Sequence, residues 1–150
     1  MSETTGIEIL LVEDNPKDVE LTLRAFERAN LTNRIHVARD GAEALEFLFC
    51  EGPHAGRRMD DAPKVVLLDL KLPKVDGREV LQRLKSDPRT KSIPVVVLTS
   101  SREQRDVVES YDLGVNSYIV KPVNFEQFLE SVQQLGLYWL LTNQPPKVEG

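Results

Sequence analysis

The chain has 150 residues, 41% hydrophobic and 29% charged, enough for one domain with a real core and too short for two of typical size. A (β/α)₈ barrel needs roughly 250 residues and is excluded. Lys and Arg number 19 against 24 Asp and Glu, a net charge of −5 with no dense basic run, which argues against nucleic acid as a partner.

Met1–Gly6 is polar and the apolar run behind it is too short for a signal peptide. That run, Ile7–Val12, is the predicted strand β1. Asn15–Pro16, a cap residue followed by Pro at the first helical position, precedes the predicted helix α1 over Asp18–Asn30. Val19, Leu23, Phe26 and Ala29 recur there at helical spacing. Strand β2 is predicted at Ile35–Ala38, and helix α2 at Gly41–Cys50 with Ala44, Leu45 and Leu48 on one face. Glu51–Pro63 mixes Gly, Pro and charge and predicts a long, mobile surface loop. Strand β3 follows at Val65–Leu68. Helix α3 is predicted over Gly77–Ser86, with Val80, Leu81 and Leu84 inward and a stop before Asp87–Pro88; Asp76–Gly77 is expected to serve as turn and cap. Strand β4 is Val95–Leu98. Helix α4, Arg102–Leu113, ends at Gly114, which suits the left-handed position after a helix. Strand β5 is Tyr118–Val120. Helix α5, Asn124–Leu141, opens on an Asn cap and spaces Phe125, Phe128, Leu129, Val132 and Leu135 along one face. The tail Thr142–Gly150, with Pro145–Pro146, has no core-forming pattern.

Strand and helix alternate five times, which indicates parallel βαβ units with right-handed crossovers. The strands read as nearly continuous Val, Ile and Leu, as strands buried on both faces do. The expected fold is therefore α/β: a single (βα)₅ domain over 7–141, flavodoxin-like, with sheet order 2-1-3-4-5 and a tail at 142–150. One cysteine, Cys50, excludes a disulfide framework and a Cys-rich zinc site, and it is expected to pack inertly. His36 and His54 show no zinc-site spacing. Nothing approaches the ~20 apolar residues of a membrane span, so a cytoplasmic chain is expected.

Ligands of an open parallel sheet bind at the carboxyl ends of its strands. The residues there are Glu13–Asp14, Asp69, Thr99 and Lys121. Two carboxylates ~5 Å apart repel by roughly 3 kcal/mol at an effective dielectric of ~20. Three against one lysine call for a divalent cation or for a retained proton. All-oxygen ligands favour a hard ion and few side chains favour Mg²⁺, with Ca²⁺ and Mn²⁺ left open. Asp69 could then act as a nucleophile towards phosphorus, with Lys121 and Thr99 stabilising the transferred group. Neither GxxxxGK[ST] nor GxGxxG occurs, so the phosphoryl donor is expected to be a partner.

Leu11-Val12-Glu13-Asp14-Asn15, Leu67-Leu68-Asp69 through Asp76-Gly77, Val97-Leu98-Thr99-Ser100 and Tyr118-Ile119-Val120-Lys121-Pro122 together resemble the receiver domains of two-component response regulators. The resemblance spans about Ile7 to Leu141. It implies Asp69 as phosphoacceptor, with Asp14, Asp69 and the Lys71 carbonyl as Mg²⁺ ligands and Glu13 reaching the ion through water. It further implies Thr99 as the switch hydroxyl, Lys121 as the phosphate-pairing lysine, Tyr118 as the switch aromatic and a cis Lys121–Pro122 bond. Ser100 stands where many receivers have Ala, Glu13 stands where Asp is commoner, and Lys71 and Ser101 occupy positions that tune dephosphorylation.

The Glu51–Pro63 loop and the ending Leu137-Tyr138-Trp139-Leu140-Leu141 resemble stand-alone regulators that partner phytochrome-type sensor histidine kinases. That apolar ending covers more than one helix face and, with the α4–β5–α5 side, is expected to form a homodimer. With no DNA-binding module after Leu141, output is expected through a downstream protein or phosphotransfer partner. The rival expectations are a phosphorylation-independent adaptor on the same fold, a phosphatase using Asp69, and a flavin carrier. Lys71 stands where a haloacid-dehalogenase-type phosphatase needs its second carboxylate, which weakens that rival.

Overall fold

A computed structural model describes residues 7–28, 33–59, 61–72, 76–99, 115 and 117–135. Five parallel strands form one sheet in the order β2-β1-β3-β4-β5: Ile9–Val12, Ile35–Ala38, Val65–Asp69, Val95–Thr99 and Ser117–Val120. The helices are α1 Pro16–Arg28, α2 Gly41–Leu48, α3 Gly77–Ser86 and α5 Phe125–Gln134. The predicted α4, Gly114, the segment Leu137–Leu141 and the tail lie outside the described residues. Helix α1 begins two residues earlier than predicted because Pro16 itself occupies the first turn, with Asn15 Oδ1 accepting from the Lys17 and Asp18 amides. β3 and β4 each run one residue further than predicted, into Asp69 and Thr99. The ladder therefore carries those two polar residues, because pairing of the backbone does not depend on an apolar side chain.

Alternation along the strands divides the core in two. Leu10, Val12, Val66, Leu68, Val95 and Val97 pack towards α2 and α3. Ile9, Leu11, Val65, Leu67, Val96 and Leu98 pack on the other face, towards α1 and α5. There Phe26 of α1 and Phe128 of α5 meet with ring centroids 4.6 Å apart, both buried. Two covered faces explain why the strands could be uniformly apolar.

The segment after α2 departs from the expected mobile loop. Cys50 takes φ +56 directly behind the helix, and the Glu51 amide reaches back to the Glu46 carbonyl at 2.8 Å. This is the helix-ending arrangement usually built on glycine. A short 3₁₀ turn follows at Gly52–His54. Arg57 then folds back: its guanidinium donates to the Phe47 carbonyl and to Asp61 O (2.7 Å) and lies 3.7 Å from the Phe47 ring centroid. Carbonyls at a helix end lack partners within the helix, and a long cation satisfies one of them here. Cys50 is half-buried, with Sγ 3.8 Å from Arg57, a position beside the core rather than within it, in keeping with the expected core or near-core packing.

The anchored turn corrects a second expectation. His36 of β2 and His54 of the turn converge with Glu43 of α2, with one ligand atom from each within 4.8 Å of the others. Residues 18 apart on an edge strand and a loop share no local spacing, so the sequence does not reveal the group.

A non-glycine residue in the left-handed region costs about 1 kcal/mol. Cys50→Gly is expected to raise stability by about that amount, a melting temperature rise of roughly 2–4 °C in calorimetry. A lower melting temperature would mean that the thiol's packing outweighs the backbone relief.

Candidate functional site: a carboxylate pocket at the strand ends

Glu13 follows β1, Asp69 ends β3, Thr99 ends β4 and Lys121 follows β5, so the parallel register delivers all four to one rim. The Glu13 amide donates to Ala38 O at 3.0 Å and the Lys121 amide to Thr99 O at 2.8 Å, which extends the ladder to both residues. The Lys121–Pro122 bond is cis. Glu13, Asp69 and Thr99 are buried; Asp14 is exposed.

Lys121 sits among three acids. Its Nζ lies 3.0 Å from Asp69 Oδ2, 3.2 Å from Glu13 Oε1 and 3.1 Å from Asp18 Oδ2. Burial alone would lower its pKa; the hydrogen bond and charge of Asp69, helped by Glu13 and Asp18, reverse this and raise it. The lysine is therefore a fixed cation. Asp69 Oδ1 accepts from the Lys71 amide at 3.0 Å, and Glu13 Oε2 accepts from the Asn15 amide at 3.2 Å. Carboxylate oxygens of Glu13, Asp14 and Asp69 lie within 4.8 Å of one another. Glu13 responds to that crowding. Burial first, and Asp69 second, push its pKa up to about 7.

Thr99 Oγ1 is buried and has no hydrogen-bond partner among the described residues. A hydroxyl in that condition costs roughly 1–3 kcal/mol unless something else supplies a partner. Tyr118 is half-buried against the α2–α3 side of the core. The Lys71 side chain is exposed. Ser100 and Ser101 lie outside the described residues.

Two participants escaped the sequence reading. Asp18 was read only as the start of α1, yet it contacts Lys121. Its signal was its place four residues beyond Asp14, on the first turn of a helix that rises from the same rim. Gly77 was read as part of a cap. Asp76 does cap α3, accepting from the Arg78 amide. A Cβ on Gly77, however, would lie 2.5 Å from Asp69 O and 2.6 Å from Leu70 Cα. The glycine lets α3 start directly against the backbone that carries Asp69.

Glu13 binds a proton more tightly in the folded chain than at its ordinary value of 4.5, so stability falls as pH rises through that interval to about 7 and then levels off. Metal-free protein is expected to melt higher at pH 5.5 than at pH 8. Glu13→Gln is expected to flatten this part of the profile and to gain roughly 3 kcal/mol at pH 8, an order-of-magnitude figure. An unchanged profile in that variant would assign the dependence elsewhere. Gly77→Ala is expected to cost about 1–3 kcal/mol by overpacking against backbone, read by denaturant unfolding.

Residues 9–133 match the family model of the response regulator receiver domain. FilR2 of Methanothrix harundinacea, described as a probable methanogenesis regulatory protein, is 48% identical over 139 residues, covering 92% of this chain and 86% of that protein. Response regulator Rcp1 of Synechocystis is 41% identical over 134 residues, 89% of each chain. The structure of its Mn²⁺-bound form superposes with a TM-score of 0.70 at 40% identity, over 92% of this chain and 97% of that one. The bacteriophytochrome response regulator AtBRR superposes with a TM-score of 0.85 at 57% identity, over 91% of this chain and 97% of that one. The sheet order, the match over most of the chain and relatives of similar length lead to one conclusion: the chain belongs to the response regulator receiver-domain family and is homologous to its stand-alone members.

Proposed function

We propose that the chain is a phosphorylation-controlled switch that accepts a phosphoryl group on Asp69 from a phosphohistidine of a sensor histidine kinase. The observation that carries this reading is Asp69 itself: a buried carboxylate at a strand end, 3.0 Å from a lysine whose charge is fixed. An Asp69 oxygen attacks phosphorus, forming an O–P bond as the N–P bond of the donor breaks. The leaving imidazole nitrogen keeps the electron pair and the donor histidine is restored. Lys121 then stands beside the new phosphoryl oxygens, and the Thr99 hydroxyl, without a hydrogen-bond partner among the described residues, is a donor available to one of them. Tyr118, two residues before Val120 on β5, would follow Thr99 inward and alter the α4–β5–α5 surface.

The pocket suits a divalent cation. Glu13, Asp14 and Asp69 offer hard oxygen donors at ligand spacing, and the raised pKa of Glu13 marks uncompensated negative charge. Asp14, Asp69 and the Lys71 carbonyl would hold Mg²⁺, with Glu13 acting through water. The ion would supply charge neutralisation between the acceptor and the incoming phosphoryl group. The chain is then a phosphoacceptor rather than a turnover enzyme.

The bacteriophytochrome response regulator AtBRR supports a phytochrome-type kinase as the cognate donor; FilR2, equally a relative, carries a different regulatory name. Val120 of edge strand β5 is one of two large hydrophobics, with Leu21, that stand exposed among the described residues. This supports a homodimer through the α4–β5–α5 side, with the Leu137–Leu141 segment adjoining it, and a downstream protein or phosphotransfer partner. The receiver domain is proposed to span 7–141, in a cytoplasmic protein; among the described residues no helix is long and apolar enough to cross a membrane.

Incubation with acetyl phosphate and Mg²⁺, followed by intact mass measurement, tests the switch chemistry. One added phosphoryl group is expected, absent in Asp69→Asn and in the presence of a chelator. An adduct that persists in Asp69→Asn would overturn the assignment of the acceptor. Sedimentation of the phosphorylated and free forms at tens of micromolar tests the dimer, and a monomer in both would refute it.

A further inference from the structure

We infer that His36, Glu43 and His54 form a second cation site, one for a borderline transition ion such as Zn²⁺, separate from the carboxylate pocket. Both histidines of the chain belong to this group, and the chain has only two. They come from three different elements, β2, α2 and the 3₁₀ turn, and none of these elements supplies a carboxylate to the pocket.

The spacing is poor for hydrogen bonding and suited to a metal. His36 Nε2 lies 3.7 Å from Glu43 Oε1, too far for a hydrogen bond, and that buried nitrogen has no hydrogen-bond partner among the described residues. A tetrahedral ion with bonds of about 2.0–2.1 Å holds its ligand atoms about 3.3 Å apart. The His36–Glu43 separation is within half an ångström of that spacing, and the His54 ligand atom lies within 4.8 Å of both. An orphaned ring nitrogen is the form of imidazole that binds metal, and burial, with His54 as the next cause, lowers the His36 pKa and keeps the ring neutral.

The ligands are also held in place from behind. Glu43 Oε2 accepts from the Arg39 amide at 2.9 Å, which leaves Oε1 turned to His36. The Glu43 amide in turn donates to Asp40 Oδ1 at 2.7 Å. His36 stacks on Phe47 with centroids 4.3 Å apart, and His54 meets both rings edge-on at 5.3 and 5.1 Å. Arg57 takes the other face of Phe47, since two groups at these distances cannot share one face. Fixed supporting contacts of this kind distinguish a metal-ready site from side chains that happen to be near each other.

Two imidazoles and one carboxylate suit Zn²⁺ and its neighbours over Mg²⁺, and three protein ligands leave a position open. That position would take water or a donor from another molecule. A bound ion would fasten the 3₁₀ turn to the sheet edge.

The test uses the full chain without a histidine tag, stripped of metal and held in a large excess of Mg²⁺, which competes for oxygen sites and not for imidazole. Titration with Zn²⁺ alone is expected to give one equivalent bound at micromolar affinity or tighter. Co²⁺ is expected to give the visible absorption of a tetrahedral site. His54→Gln and Glu43→Gln are each expected to weaken binding by at least about tenfold. His36→Gln risks the Phe47 stack, so for that ligand the ring resonances of both histidines in the unaltered chain serve instead, and both should shift at one equivalent. Zn²⁺ binding that excess Mg²⁺ abolishes, binding that His54→Gln leaves intact, or histidine resonances that do not move would each overturn the site.

Discussion

The ammonium of Lys121 is the contact on which the pocket depends. Four acids stand at one rim, and three of them meet at this one nitrogen: Glu13 from the end of β1, Asp18 from α1 and Asp69 from β3. Mutual repulsion would drive these groups apart in a site shielded from water. The lysine offsets part of it and ties β5 to elements across the sheet. The remainder is visible in Glu13, which holds its proton far above the ordinary range for a carboxyl group. The pocket is thus under electrostatic tension by construction. A cation or an added ligand that relieves it gains binding energy from contacts already in place.

The fold explains how such a site can exist at all. Sheet faces covered by α2 and α3 on one side, and α1 and α5 on the other, bury the three central strands β1, β3 and β4 throughout. On these central strands, polar groups emerge next to one another where the strands stop. The ladder carries Asp69 and Thr99 within its final pairs, so their backbone positions are as fixed as those of the core valines beside them. Charged chemistry is placed by backbone pairing, with loops contributing Asp14 and the Lys71 amide around it.

Much of this was legible before any coordinates. Each apolar run ended in a polar residue at the rim, so Asp69, Thr99 and Lys121 could be read from position along the strand. The element order and sheet order followed from alternation. What local pattern could not carry was contact across elements. Asp18 meets Lys121 through a separation of 103 residues, and its place on the first turn of α1 puts it at the rim without naming its partner. His36 and His54 converge where the turn after α2 brings His54 back against Phe47, beside Arg57. Gly77 looked like a turn residue because its neighbour, the Asp69–Leu70 backbone, is adjacent in space and not in spacing. Core or near-core packing of Cys50 is legible from its apolar surroundings, but its residue type says nothing of a positive φ.

The close approach at Gly77 has a mechanical consequence. With the Gly77 amide donating to Leu70 O and no room for even a methyl group between the two backbones, the end of β3 and the start of α3 are a single rigid part. Any push on Asp69 is shared with α3 and the layer behind it, which resists as a body. On the far side of the pocket the Thr99 hydroxyl has no hydrogen-bond partner among the described residues. The two flanks of the pocket therefore differ: at Asp69 the backbone is packed against the start of α3, whereas at Thr99 the backbone is paired in the ladder and only the hydroxyl is left to turn.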